Sequence, residues 1–319
     1  MLRCRWILSV PVLALLVAGT RAQNPVELKW KFEKGKPFYQ EMTTDTTQKM
    51  TVMGQNITQV QKVTFFLSWT PVDKDKDGNW TVKQKIDGLK MEIEIGGNKI
   101  PFDSTKDTGG TNPLSDFFKA LLGAEFKLTI GPDMKVTKIE GRDEFIKKLQ
   151  QANPQMETLL KQILSDDALK QMSDPAFGVV PGKPVKKGDT WERKSSLNMG
   201  PIGSYETTYK YTHEGRDEKD KNLVRIKVDT TIKYVPPAAG AAAGLPFRIV
   251  SAKLDSKEAT GTILFDVVKG RVASSNLSLK LEGTLDIDIS GMQSTVKLSQ
   301  TQNTTVKTTD ENPVKKTTS

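Results

Sequence analysis

The chain has 319 residues, enough for one large or two ordinary domains, with 47 Lys and Arg against 38 Asp and Glu and a formal charge of +9. A single cysteine and a single histidine exclude a disulfide framework, a thiolate metal cage and the usual histidine-built zinc site. The excess positive charge is mostly lysine, a hydrated point charge, with few of the arginines that read phosphate through a planar fork, so a nucleic-acid partner is not expected.

In chain order, the first segment is short and positive at Met1-Leu2-Arg3-Cys4-Arg5, then apolar from Trp6 to Ala18, with a small residue at Ala22. Those are the three parts of a secretory signal peptide, assigned to residues 1–22. The apolar run is shorter than the roughly 20 residues that span a bilayer. No transmembrane segment is expected after cleavage, and export places the protein in the periplasm or outside the cell. Cleavage removes Cys4, Arg3, Arg5 and Arg21 and no acid, which takes the formal charge from +9 to +6.

The mature chain mostly alternates apolar and polar residues with period two. Val60–Trp69 and Trp80–Ile86 are two such runs around a turn-rich loop, Asp73-Lys74-Asp75-Lys76-Asp77-Gly78-Asn79, which is a hairpin pattern. Phe126–Ile130 and Met134–Ile139 flank Gly131-Pro132-Asp133 in the same way. Tyr205–Thr212 with Leu223–Val235, and Ile263–Val267 with Val272–Leu281, extend the series, followed by Thr284–Ile289 and Thr295–Leu298. Strands joined by short turns make antiparallel sheet with one dry and one wet face.

Helices are confined to 112–172. Asn112-Pro113 is a start signal, and Leu114, Phe117, Phe118, Leu121 and Leu122 form one stripe that stops at Gly123. Further helices are read at Glu144–Gln151, after Asn153-Pro154, and at Asp166–Met172. Phe177–Asp189, rich in Pro, Gly and Lys, reads as a linker. Residues 236–244 read as an exposed loop, and 299–319 as a flexible tail with no core residue after Val306. The fold class is therefore α+β and mainly antiparallel β: a curved sheet or half-barrel with a few packed helices. It forms one β-rich domain over 23–298, in which two segments, about 26–140 and 189–298, share a plan that suggests duplication.

The opening Leu28-Lys29-Trp30-Lys31-Phe32 with Gly35-Lys36-Pro37-Phe38-Tyr39, the mid-chain helices, Pro184-Val185-Lys186-Lys187-Gly188-Asp189-Thr190-Trp191 and Gly261-Thr262-Ile263-Leu264-Phe265-Asp266 together resemble the exported bacterial proteins classed as domain of unknown function 6263. That resemblance implies no activity and no functional residues. A looser similarity of plan links such sheets to periplasmic lipid and lipoprotein carriers.

For chemistry, Asp73, Asp75, Asp77 and Gly78 match the first half of a calcium loop, but its twelfth position falls on Gln84, which cannot supply the bidentate carboxylate. They are the weak metal candidate; no other metal site and no cofactor is expected. His213 lies at a strand end beside a charged loop and reads as an exposed structural residue. No serine elbow, metalloprotease motif, phosphate loop or dinucleotide fingerprint occurs, so no catalytic residue is assigned. The expected function is binding or scaffolding in the cell envelope, with an envelope protein, a glycan or a lipid-like molecule as partner. The alternatives are a lipid-like carrier on a concave sheet and a glycan hydrolase with paired carboxylates.

Overall fold

The computed structural model describes residues 24–106, 115–238 and 245–314. The signal peptide assigned to 1–22, the Asn112-Pro113 start and residues 239–244 of the Ala/Gly loop lie outside them. The strands are β1 (Phe38–Val52), β2 (Gln55–Lys74), β3 (Trp80–Ile95), β4 (Asn98–Asp103), β5 (Glu125–Ile130) and β6 (Val136–Glu140), then β7 (Thr190–Asn198), β8 (Ser204–Arg216), β9 (Leu223–Val235), β10 (Arg248–Asp266), β11 (Arg271–Ile289) and β12 (Met292–Thr309). Between the two groups come the helices α1 (Ser115–Leu121), α2 (Arg142–Ala152), α3 (Glu157–Ile163) and α4 (Asp166–Phe177), with α1 preceding β5.

All twelve strands form one antiparallel curved sheet in the order β6-β5-β3-β2-β1-β12-β11-β10-β9-β8-β7, with β4 added on β3. The fold class read from alternation is the one observed. Two meanders meet at a seam where the first strand pairs with the last, from Tyr39↔Thr309 to Thr51↔Lys297. Three long hairpins close through two-residue turns with both central residues at positive φ: Met53-Gly54, Gly96-Gly97 and Ser290-Gly291. That geometry matches the right-handed twist of the flanking strands. β2 alone, at 20 residues, reaches about 65 Å if extended.

One end of this sheet is packed solid. Inward residues from strands of both meanders share a single cluster, including Trp69, Val82, Leu128, Val224, Ile226 and Phe265. Because strands distant along the sheet meet there, the face that carries them is the concave one. Trp30 sits among the rings of Phe32, Phe38, Phe177 and Phe265 at centroid distances of 5.3–6.2 Å.

Phe177–Asp189 is not a linker: Phe177, Val179 and Val185 are each 1% exposed, and Val26 and Val185 exchange both backbone hydrogen bonds at 2.8 and 2.9 Å. Pro and Gly prevent regular structure there, but they do not prevent burial once the carbonyls find donors. The Trp30 and Trp191 indole N–H groups donate to the carbonyls of Phe177 and Val179 at 3.0 and 3.1 Å. Nor is 299–309 a tail. It is the body of β12, paired on both sides, and Asn312 beyond it donates to Asp87 at 3.1 Å. Its Thr/Gln/Asn alternation carries a single apolar residue, Val306, because most of the surface it faces inward is itself polar. The last helix also runs past Met172 to Phe177, through Pro175.

Candidate functional site

Beyond the packed end, β1–β3 and β8–β12 continue as a concave arm. Residues directly opposite in register share a face, so the inner row can be followed from strand to strand. On β1 it is Gln40, Met42, Thr44, Thr46, Gln48 and Met50, each paired with an inward residue of β2 and of β12. Leu277, Leu279, Leu281 and Leu285 continue it on β11, and Met91 and Ile93 on β3. Between the packed end and the hairpin tips, no inward position of β1–β3 or β8–β12 carries Asp, Glu, Lys or Arg. In a chain that is 27% charged, every such side chain on these strands is displaced to the outer face or to bulges and tips.

The polar members of the row lie at the seam. Gln48 stands opposite Gln59 on one side and Gln300 on the other, and Thr46 stands opposite Gln61 and Gln302. Their mutual hydrogen bonds are long: Gln59 to Gln61, Gln300 to Gln302 and Gln302 to Thr304 are each 3.4 Å. Each amide brings two N–H donors and a carbonyl, so most of this capacity faces the trough. The flanks are aliphatic. α1 covers part of one flank through Phe118, which packs on Val63 and Leu89. On the other side Tyr205 and Tyr234 cluster with Leu254 and Leu281. Burial raises the pKa of Tyr205 and Tyr209, and that of Tyr234 to about 12, so these phenols stay neutral at ordinary pH.

Arg193 on β7 is an inward charged residue at the sheet edge, and it is neutralised. Its guanidinium meets the Asp174 carboxylate at 2.9 and 3.1 Å and donates to the carbonyls of Met134 at 3.0 Å and Asp133 at 3.3 Å. Asp174 also accepts from the backbone N–H of Val136 at 3.0 Å. One ion pair thus ties α4 to both edge strands, β6 and β7. Gly178 is required beside it, because a Cβ there would lie 2.6 Å from the locked Arg193 side chain.

The calcium candidates do not converge. Asp73 is turned to Lys34 at 2.8 Å. Asp75 closes its own turn, accepting from Asn79 Nδ2 at 2.8 Å and from the backbone N–H groups of Asn79 and Asp77. These bonds, the Asn79 side chain first, hold its pKa below the usual carboxylate value. Asp77 takes part in that turn through its backbone N–H, which donates to Asp75 at 3.0 Å. Among the described residues no three His, Cys, Asp or Glu side chains gather as a metal cage.

His213 is 2% exposed, not the surface residue its place beside a charged loop suggested. β8 runs on to Arg216, and the register sets His213 opposite Ile226 on the inner row. Among the described residues neither ring nitrogen meets a hydrogen-bond partner. At the packed end a cleft of about 170 Å³ lies between Trp30, Phe38 and a small charge cluster in which Asp310 binds Lys269 and Arg271. Those two hydrogen bonds, Lys269 first, lower the Asp310 pKa and pin the end of β12. Alternation revealed the inner row only in part; the seam glutamines were hidden because they sit in segments too polar to read as core.

A family model described as Family of unknown function (DUF6263) matches residues 77–272. The chain belongs to that family. The matched stretch of this DUF6263 member holds the helices, the Arg193–Asp174 tie and His213, whereas Gln48, Gln59, Gln61, Gln300 and Gln302 lie outside it. No curated protein matches the sequence. Among solved structures, one titled for lipid–protein interactions in lipovitellin aligns at a TM-score of 0.42 and 10% identity, covering 85% of this chain and 25% of that one. The chain thus spans about a quarter of that structure's length. DynF, from the dynemicin biosynthesis pathway of Micromonospora chersina, aligns at a TM-score of 0.18 and 10% identity, covering 93% and 92%. OpdQ of Pseudomonas aeruginosa gives 0.20 and 6%, covering 86% and 98%.

Proposed function

We propose that the protein is exported after loss of residues 1–22 and acts in the cell envelope as a non-catalytic binding protein, holding a lipid-like ligand along its concave arm. The observation that carries this reading is the uncharged inner row, aliphatic on its flanks, in a chain whose other surface is densely charged. Sheets with one face simply solvated carry charges on it; a face cleared of them suits a ligand that is largely apolar. A hydrolase reading finds no support. The carboxyl groups with a moved pKa among the described residues, such as Asp75, Asp286 and Asp310, are all moved down, whereas a glycosidase general acid needs one moved up.

Organic extraction and native mass spectrometry of the purified protein test the reading. A co-purifying amphiphile, or saturable uptake of a neutral fluorescent alkyl probe, is the expected result. Neither ligand nor uptake would remove it. Mass analysis of the mature protein is expected to place the N terminus at Gln23; an intact Met1–Ala22 in the exported fraction contradicts the cleavage site.

A further inference from the structure

The seam says more about the ligand than that it is apolar. Five glutamines and the threonines Thr44, Thr46 and Thr304 form a contiguous patch on β1, β2 and β12, at the floor of the arm. Three strands and the run from Thr44 to Gln48 make it about 10 Å by 14 Å, the footprint of one or two sugar rings. The patch offers amide and hydroxyl groups only. Among the described residues their hydrogen-bond partners are other members of the patch at 3.4 Å, together with the Thr44–Thr304 contact at 3.2 Å and the Gln48 contact with Met50 Sδ. Leu277, Leu279 and Leu281 lie on one side of it and Met91 and Ile93 on the other.

An ionised headgroup laid on this floor would lose water and meet no countercharge, which is unfavourable. A hydroxyl-rich neutral group would exchange water hydrogen bonds for amide ones, while an attached alkyl chain lies on the leucine row. Resting on the binding role proposed above, we infer that the concave arm selects a neutral, polyhydroxylated amphiphile of the alkyl-glycoside class, with the Gln48/Gln59/Gln61/Gln300/Gln302 patch as its headgroup site.

The test is calorimetric titration of the purified protein with four C12 amphiphiles, each kept below its micelle concentration or, for the alcohol, its solubility limit, and with free maltose. The amphiphiles are dodecyl maltoside, dodecanoate, dodecylphosphocholine and 1-dodecanol. Dodecyl maltoside is expected to bind about tenfold or more tighter than the two ionic ligands, the scale of one or two half-exposed hydrogen bonds plus a desolvated charge. Free maltose is expected to bind at least about a hundredfold more weakly than the maltoside, the alkyl chain being absent. In the double variant Gln48→Leu/Gln300→Leu the maltoside should weaken about tenfold while 1-dodecanol is held as before. Circular dichroism and the thermal transition check that the variant folds. The near-isosteric Gln302→Glu, which adds one charge to the row, should also weaken the maltoside. Equal binding of all four amphiphiles, maltose binding as tightly as the maltoside, or a variant that keeps the preference would overturn the headgroup site and leave the apolar trough standing. Binding of none of them would overturn both.

Discussion

The packed end and the concave arm are made of the same strands, yet they solve opposite problems. At the packed end, β2 contributes Leu67 and Trp69 to a core closed by Trp30, Phe177 and α4. Some ten residues earlier the same strand places Gln59 and Gln61 on the same face, half-buried. An isolated sheet face can be dry only if something covers it. The first end is covered by the chain's own irregular segments and helix; over most of the arm, side chains of intermediate polarity replace a cover. A strand's alternation therefore records which face is inward, but not whether that face is filled.

The comparison can be broken most severely at the seam. Deleting residues 291–314 removes β12 and exposes the ladders of both β1 and β11, so loss of the fold is expected, with aggregation on size exclusion and loss of the sheet signal in circular dichroism. A truncated chain that melts cooperatively near the parent would show that the seam is dispensable. Next in size, Phe177→Ala empties the centre of the aromatic cluster and should lower stability by about 3–5 kcal/mol in urea. Leu279→Ala on the half-buried arm should cost about 1 kcal/mol. Equal losses would mean that the arm is packed as tightly as the core.

Asp174→Ala leaves Arg193 largely buried without its partner, since the two side chains are 13% and 15% exposed. A loss of about 3 kcal/mol is expected, with faster amide exchange in β6 and β7 than in β1. His213→Leu should act in the opposite direction. It replaces two unsatisfied buried nitrogens by methyl groups, and a gain of about 1 kcal/mol in chemical denaturation is expected; a clear loss would show that the ring has a partner.

The smallest effect is with acid. Asp310, Asp286 and Asp75 have pKa values below the ordinary 3.8 in the folded chain. A depressed carboxyl adds stability that is fully present above the unfolded value and disappears as pH falls through the folded one. Stability should therefore be level between pH 5 and 7 on their account and decline below about pH 4. Asp310→Asn should flatten that decline slightly, because Lys269 and Arg271 then hold no carboxylate.

Much of this protein was legible in its sequence, for a local reason. Period-two alternation and turn chemistry are written in adjacent residues, so the antiparallel class, the helices between 115 and 172 and the hairpin at Asp73–Asn79 could be read directly. What the tertiary structure alone decided depends on residues far apart in the chain. Phe177, Val179 and Val185 became core as tryptophans at 30 and 191 supply donors to the carbonyls of Phe177 and Val179 and Val26 pairs with Val185. His213 became buried because β8 goes on pairing with β9 as far as Arg216, past the point where the sequence turns polar, and sets the ring opposite Ile226. The Thr- and Gln-rich segment after Ser299 became the centre of the sheet because β1, some 250 residues earlier, presents the same polar row to pair with. Polarity alone predicts solvent; only the pairing shows that the polar row faces inward, onto the floor where a ligand would lie.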